Sequence, residues 1–137
     1  MKSSILAGAI AGSIMGIVNF VLGYMLSIIG VTEPLGGSWE IAQSLLMLIV
    51  LALFSLSVIW GIFFGVIYGR FFDNIPGKGI MKGLVYGILV WIAKDVAAGS
   101  YVALIFMATS ISINLILVGF FMWIVYGLVL GYLYKKE

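Results

Sequence analysis

Four stretches of this 137-residue chain carry no charged side chain: Ser3 to Thr32, Ile41 to Gly69, Gly83 to Ala93, and Val96 to Tyr134. Runs of that length cannot be hidden in a water-soluble core, and they make lipid the solvent of this chain. Composition agrees, since 9% of the residues are charged and 64% are hydrophobic, against about 25% and about 45–50% in a soluble domain. The fold class that follows is all-α: a polytopic bundle of four transmembrane helices, in one transmembrane domain covering residues 1–137.

A helix crosses a hydrocarbon core about 30 Å thick with about 20 residues, at about 1.5 Å each. The spacing predicts spans at about 3–29, 41–69, 79–107 and 113–134. Gly30 to Glu40, with paired glycines, Pro34 and two acids, has the composition of a loop. Phe71 to Gly77 supplies Asn74, Pro76 and Gly77 for a second turn. Ile80 to Ala93 alone would reach only about 21 Å. The third span must therefore run on through Lys94 and Asp95, which puts two ionisable side chains within the membrane. As one helix, Val96 to Tyr134 would be almost ~60 Å long, so the polar cluster from Thr109 to Asn114 marks a turn.

An even number of spans puts both termini on one side, together with the second loop. That side collects Lys2, Arg70, Lys78, Lys82, Lys135 and Lys136, six of the seven basic residues, while Glu33 and Glu40 lie opposite. The positive-inside rule then gives an N-in, C-in, multi-pass protein of the inner (cytoplasmic) cell membrane. The first apolar stretch, from about Ile5 to Ile29, exceeds the roughly 7–15 residue core of a cleavable signal and is expected to stay as a span.

The chain has no cysteine and no histidine. That removes disulfides, thiolate metal sites and imidazole-ligated haem, together with the commonest general base. No metal, cofactor or enzymatic activity is expected, and a net charge of +2 is too small to suggest nucleic acid.

Glycines recur at four-residue intervals in every span: Gly8, Gly12 and Gly16; Gly61, Gly65 and Gly69; Gly79, Gly83 and Gly87; Gly127 and Gly131. These eleven of the 18 glycines fall in the cytoplasmic halves of their spans, where small residues let helix backbones approach closely. The expected bundle is tight inside and wider outside. Aligning Gly8/Gly12 with Gly83/Gly87, and Gly61/Gly65 with Gly127/Gly131, also suggests two parallel repeats of a helix hairpin. The two offsets differ, 75 against 66, and glycine ladders align easily by chance.

Lys94 and Asp95 are the charges far from both ends of a span. An ionised side chain at mid-membrane costs about 2.5–3.5 kcal/mol on insertion scales, which makes it a functional candidate. Adjacent residues of an α-helix point about 100° apart, so the two are not expected to neutralise each other side by side. Lys94 can snorkel outward or rest on the face of Trp91, and Asp95 can be protonated or bonded to hydroxyls. Under the repeat alignment Asn19 is the counterpart of Lys94, and Ser55 and Ser57 lie at similar depth. Asn19, Ser55, Ser57, Lys94 and Asp95 together form a candidate path for a small solute or ion, although Asn and Ser also serve as interhelical glue.

Arg70, Lys78 and Lys82 beside the start of the third span could hold an anionic lipid or a phosphate. Positive-inside bias accounts for the same cations without a ligand. Tyr24, Trp39, Trp123, Tyr126, Tyr132 and Tyr134 read as interfacial anchors, and Trp60 and Trp91 as deeper packing residues.

The segment Pro76-Gly77-Lys78-Gly79-Ile80-Met81-Lys82-Gly83-Leu84-Val85-Tyr86-Gly87 resembles a stretch of small four-span membrane proteins of prokaryotes. The resemblance covers about a tenth of the chain and implies the four-span fold without implying a reaction. Two functions fit these residues. One is a bundle that binds or moves a small solute or ion past Lys94 and Asp95. The other is a non-catalytic accessory or assembly subunit of a larger membrane complex. The bilayer, including anionic lipids, is the first expected partner, and a homo-oligomer or a membrane complex the second.

Overall fold

A computed structural model of the protein describes residues 2–28, 39–97 and 109–134. Among them the chain is helical, with α1 (Lys2–Ile28), α2 (Trp39–Phe71), α3 (Ile80–Trp91) and α4 (Thr109–Leu133). A 3-10 turn (Phe72–Asn74) follows α2, and a π-turn (Ile92–Val96) prolongs α3. Among the described residues three segments are long and apolar enough to cross a membrane: Ser4–Leu22, Val50–Asn74 and Ile116–Leu133. Residues 30–38 of the expected outer loop and the third span's continuation over 98–107 lie outside the described residues. Trp39 and Glu40, expected in that loop, begin α2, and Thr109 to Asn114, expected as a turn, are helical as the start of α4.

The turn joining α2 to α3 depends on two glycines. Gly77 (φ 104°) and Gly79 (φ 52°) sit in the left-handed region, which a side chain disfavours and glycine enters freely. An added Cβ on Gly79 would meet nothing within 4 Å. Its expected place in a packing ladder is therefore corrected: Gly79 caps the start of α3 and turns the chain. Lys82 closes the same turn, its Nζ donating to the Phe72 carbonyl at 2.6 Å and standing 4.2 Å from the centre of the Phe72 ring.

The helices pack as α1 on α2 and α3 on α4, with α1 also against α4. Glycines form both main crossings. A Cβ on Gly8 would come 2.5 Å from the Gly61 carbonyl oxygen, and one on Gly61 would come 2.5 Å from the Gly12 Cα. Gly65 would meet the Gly8 Cα at 2.7 Å. In the other pair, a Cβ on Gly83 would overlap the carbonyl oxygen of Gly127, and one on Gly131 would reach the Gly83 Cα at 2.9 Å. Gly87 lies against the Trp123 carbonyl in the same crossing. Gly16 and Gly69 face side chains instead, Phe54 and Ser57 in one case and Ser4 in the other. Where backbones touch, dispersion acts across the whole interface without an apolar side chain intervening.

The two helix pairs are joined by tyrosines. The Tyr126 hydroxyl on α4 donates to the Gly61 carbonyl of α2 at 2.7 Å, and the Tyr86 hydroxyl on α3 donates to the Phe64 carbonyl at 2.7 Å. Between them the Phe64 and Trp123 rings meet edge to face, 5.0 Å apart. Tyr126 and Trp123 belong to the buried core, which corrects their expected role as interfacial anchors. Their polar atoms bond within the bundle and need no headgroup. Tyr132 is exposed on α4. Trp60, expected deeper, is partly exposed on α2 and stacks on Phe64 at 5.6 Å.

Candidate functional site

The π-turn that ends the described part of α3 carries Lys94 and Asp95. Its defining bond runs from the Ala97 N–H to the Ile92 carbonyl, five residues back. A turn of this kind takes more residues per revolution than an α-helix, so neighbouring side chains point closer together. Lys94 Nζ consequently reaches Asp95 Oδ1 at 2.8 Å. The expectation that the two could not pair side by side assumed α-helical geometry, and it is corrected here. π-turns of this length occur frequently at functional sites.

The pair is set into α4. Asp95 Oδ2 accepts from the Trp123 indole Nε1–H at 2.7 Å, and the same ring lies 5.5 Å from Lys94 Nζ. Gly119, one turn before Trp123, leaves room for the carboxylate, since a Cβ there would overlap Asp95 Oδ2. Trp91 does not serve as the lysine's aromatic face. Its indole donates to the Ile116 carbonyl at 2.9 Å, and its ring packs on Phe120. Gly119 and Trp123 are the site residues that the sequence reading missed. Their signal was spacing, since four residues apart they share one face of α4.

The pair is asymmetric. The Asp95 side chain is 15% exposed and the Lys94 side chain 43%. Lys94 opens onto a groove of about 440 Å³ between α2 and α3. Phe64, Ile67 and Phe71 form one wall, and Leu89, Val90 and Ala93 the other. Tyr86 and Ile75 also line it, so Lys94 is its one charged residue.

The other residues singled out by sequence lie elsewhere. Asn19 is exposed on α1. Ser55 returns its hydroxyl to the Leu51 carbonyl at 2.7 Å, and Ser57 to the Leu53 carbonyl at 3.0 Å. Hydroxyls bonded back onto their own helix are locally satisfied. Of the five candidate path residues, hydrogen bonding among the described residues joins only Lys94 to Asp95. At the α2–α3 turn, Lys82 is engaged with Phe72, while Arg70 and Lys78 are exposed. The amides of Met81 and Lys82 bond to the Lys78 and Gly79 carbonyls, at 3.1 Å each. These two amides are therefore already used within the turn.

No cluster of metal-ligating side chains occurs among the described residues. Comparison with family models, characterised proteins and solved structures gives no match to the chain.

Proposed function

We propose that this chain is an N-in, C-in, four-span bundle of the inner membrane that binds, or passes, a small solute or ion at the Lys94–Asp95 pair. The supporting observation is the π-turn itself. It sets the pair of charges in a largely apolar bundle, fixes the carboxylate with Trp123 and Gly119, and leaves the ammonium partly exposed. A pair serving only the fold would be expected to bury both partners and spend their donors and acceptors. Here the ammonium gives one of its three donors to Asp95. The glycine crossings hold the framework around it. In this reading Ser57 packs between α1 and α2, Asn19 and Ser55 lie outside the path, and Arg70 and Lys78 meet anionic headgroups.

The test is native mass spectrometry of protein extracted in mild detergent, for the parent, Lys94→Leu and Asp95→Leu. The parent is expected to carry a bound small molecule that both variants lose while helicity and oligomeric state stay the same. The same bound mass in all three would end this reading.

A second reading, a non-catalytic accessory or assembly subunit of a larger membrane complex, is supported by α2. Its outer half exposes Met47, Leu48, Leu51, Leu53 and Leu56. Stoichiometric partner chains in the same extract would favour it.

A further inference from the structure

We infer that the α2–α3 groove is a lipid-side binding site for a single-chain amphiphile with an anionic oxygen head, the head on Lys94 and the chain between Phe64 and Leu89. The inference rests on the membrane orientation proposed above and deepens the binding role by naming the ligand's class and its route.

Three observations carry it. The first is access. The cytoplasmic end of the bundle is filled by Tyr68, Phe72, Tyr86 and Tyr134, whose ring centres lie 5.0–5.5 Å apart in successive contacts. These rings close that end by side-chain packing, whereas the groove beside Lys94 opens sideways between two helices. The second is chemistry. The walls are aliphatic and aromatic, and the one charge is an ammonium with two donors beyond the one given to Asp95. An apolar chain matches the walls, and a carboxylate or phosphate oxygen matches the donors. The volume of about 440 Å³ falls in the range of about 300–1,000 Å³ typical of small-molecule sites.

The third is polarity. Lys94 lies about 18 Å along the helix from Lys82, beyond the midplane of a core about 30 Å thick. The other end of the groove, at Phe71 and Ile75, lies on the cytoplasmic side. A ligand with its head at Lys94 and its tail towards Ile75 has the orientation of an outer-leaflet lipid sunk into the bundle. Two sources offer this chemistry, a free fatty acid and a lysophospholipid.

The test uses vesicles of zwitterionic phospholipid containing the whole protein and a trace of diazirine-labelled palmitic acid, with cross-links mapped by peptide mass spectrometry. Labelling is expected at Phe64, Leu89, Val90 or Ala93, and competition by unlabelled palmitic acid or lysophosphatidic acid identifies the head. Hexadecane, which has no head, should not compete. Ala93→Trp, which fills the groove, should cut groove labelling at least tenfold, and Leu89→Trp guards against a folding defect in the first variant. Lys94→Met should raise the competing concentration about tenfold. Labelling spread over the exposed faces of α1 and α2 without competition would mean bulk lipid only and overturn the inference. Loss of the bound mass in Lys94→Leu alongside uncompeted labelling would sink the amphiphile and leave the polar centre standing.

Discussion

Gly61 carries both packings of the bundle at one residue: its Cα side abuts Gly12 of α1, and its carbonyl accepts the Tyr126 hydroxyl of α4 at 2.7 Å. The close α1–α2 crossing and the tie between the two helix pairs therefore share one peptide. A side chain at this position would have to displace backbone, since the atoms nearest to it belong to Gly12 and Gly8.

Gly61→Ala and Gly83→Ala are each expected to destabilise the protein by about 1–3 kcal/mol, the usual cost of overpacking. Thermal unfolding in detergent, followed by circular dichroism, measures the effect. Leu48→Ala, at an exposed position, should unfold with the parent. Equal tolerance at all three would mean that the crossings are looser than described.

The tyrosines give a matched set of conservative changes. Tyr126→Phe and Tyr86→Phe each delete a hydrogen bond between the helix pairs, at a cost of about 0.6–1.7 kcal/mol for interhelical bonds in membranes. Tyr68 is fully buried, and its hydroxyl has no hydrogen-bond partner among the described residues. Tyr68→Phe should leave stability unchanged or raise it. A loss for Tyr68→Phe matching that for Tyr126→Phe would reveal a bonded hydroxyl.

Removing one member of the Lys94–Asp95 pair should cost more than removing both. Lys94→Met strands a carboxylate inside the bundle, at up to about 2.5–3.5 kcal/mol, while Asp95→Leu leaves a lysine able to snorkel outward. The double variant is expected nearer the parent in stability than Lys94→Met. Strict additivity in the cycle would mean that the two side chains do not interact.

Gly119→Ala should move Asp95 and break its bond to Trp123. Indole emission reports this directly: the substitution is expected to shift emission in the parent and leave it unchanged in a Trp123→Phe background. A shift in both would place the effect on another tryptophan.

The helices were legible because charge-free runs and their length need only composition and the rise per residue. The glycine crossings were legible for a related reason, since a four-residue period marks one helix face. Gly79 shares that period and stands in a turn. Its neighbours Pro76 and Gly77 marked the turn, and counting by fours extended the ladder into it. The Lys94–Asp95 contact was hidden because α-helical geometry points adjacent side chains apart, and nothing in Trp91-Ile92-Ala93 announces a π-turn. Trp123 looked like an interfacial anchor because depth along a span says nothing of what faces a side chain from another helix. Gly119 stood outside every ladder, and its meaning depends wholly on the carboxylate opposite.

The most direct test of a polar centre inside the membrane is the depth of Ala93, which lies exposed beside the pair. The chain has no native cysteine, so Ala93→Cys can carry a single spin label in nanodiscs, with Lys78→Cys as the interfacial reference. Collision with oxygen should dominate collision with a water-soluble nickel chelate at position 93, and the order should reverse at position 78. Nickel access at position 93 equal to that at 78 would put Lys94 and Asp95 in water and contradict a membrane-embedded site.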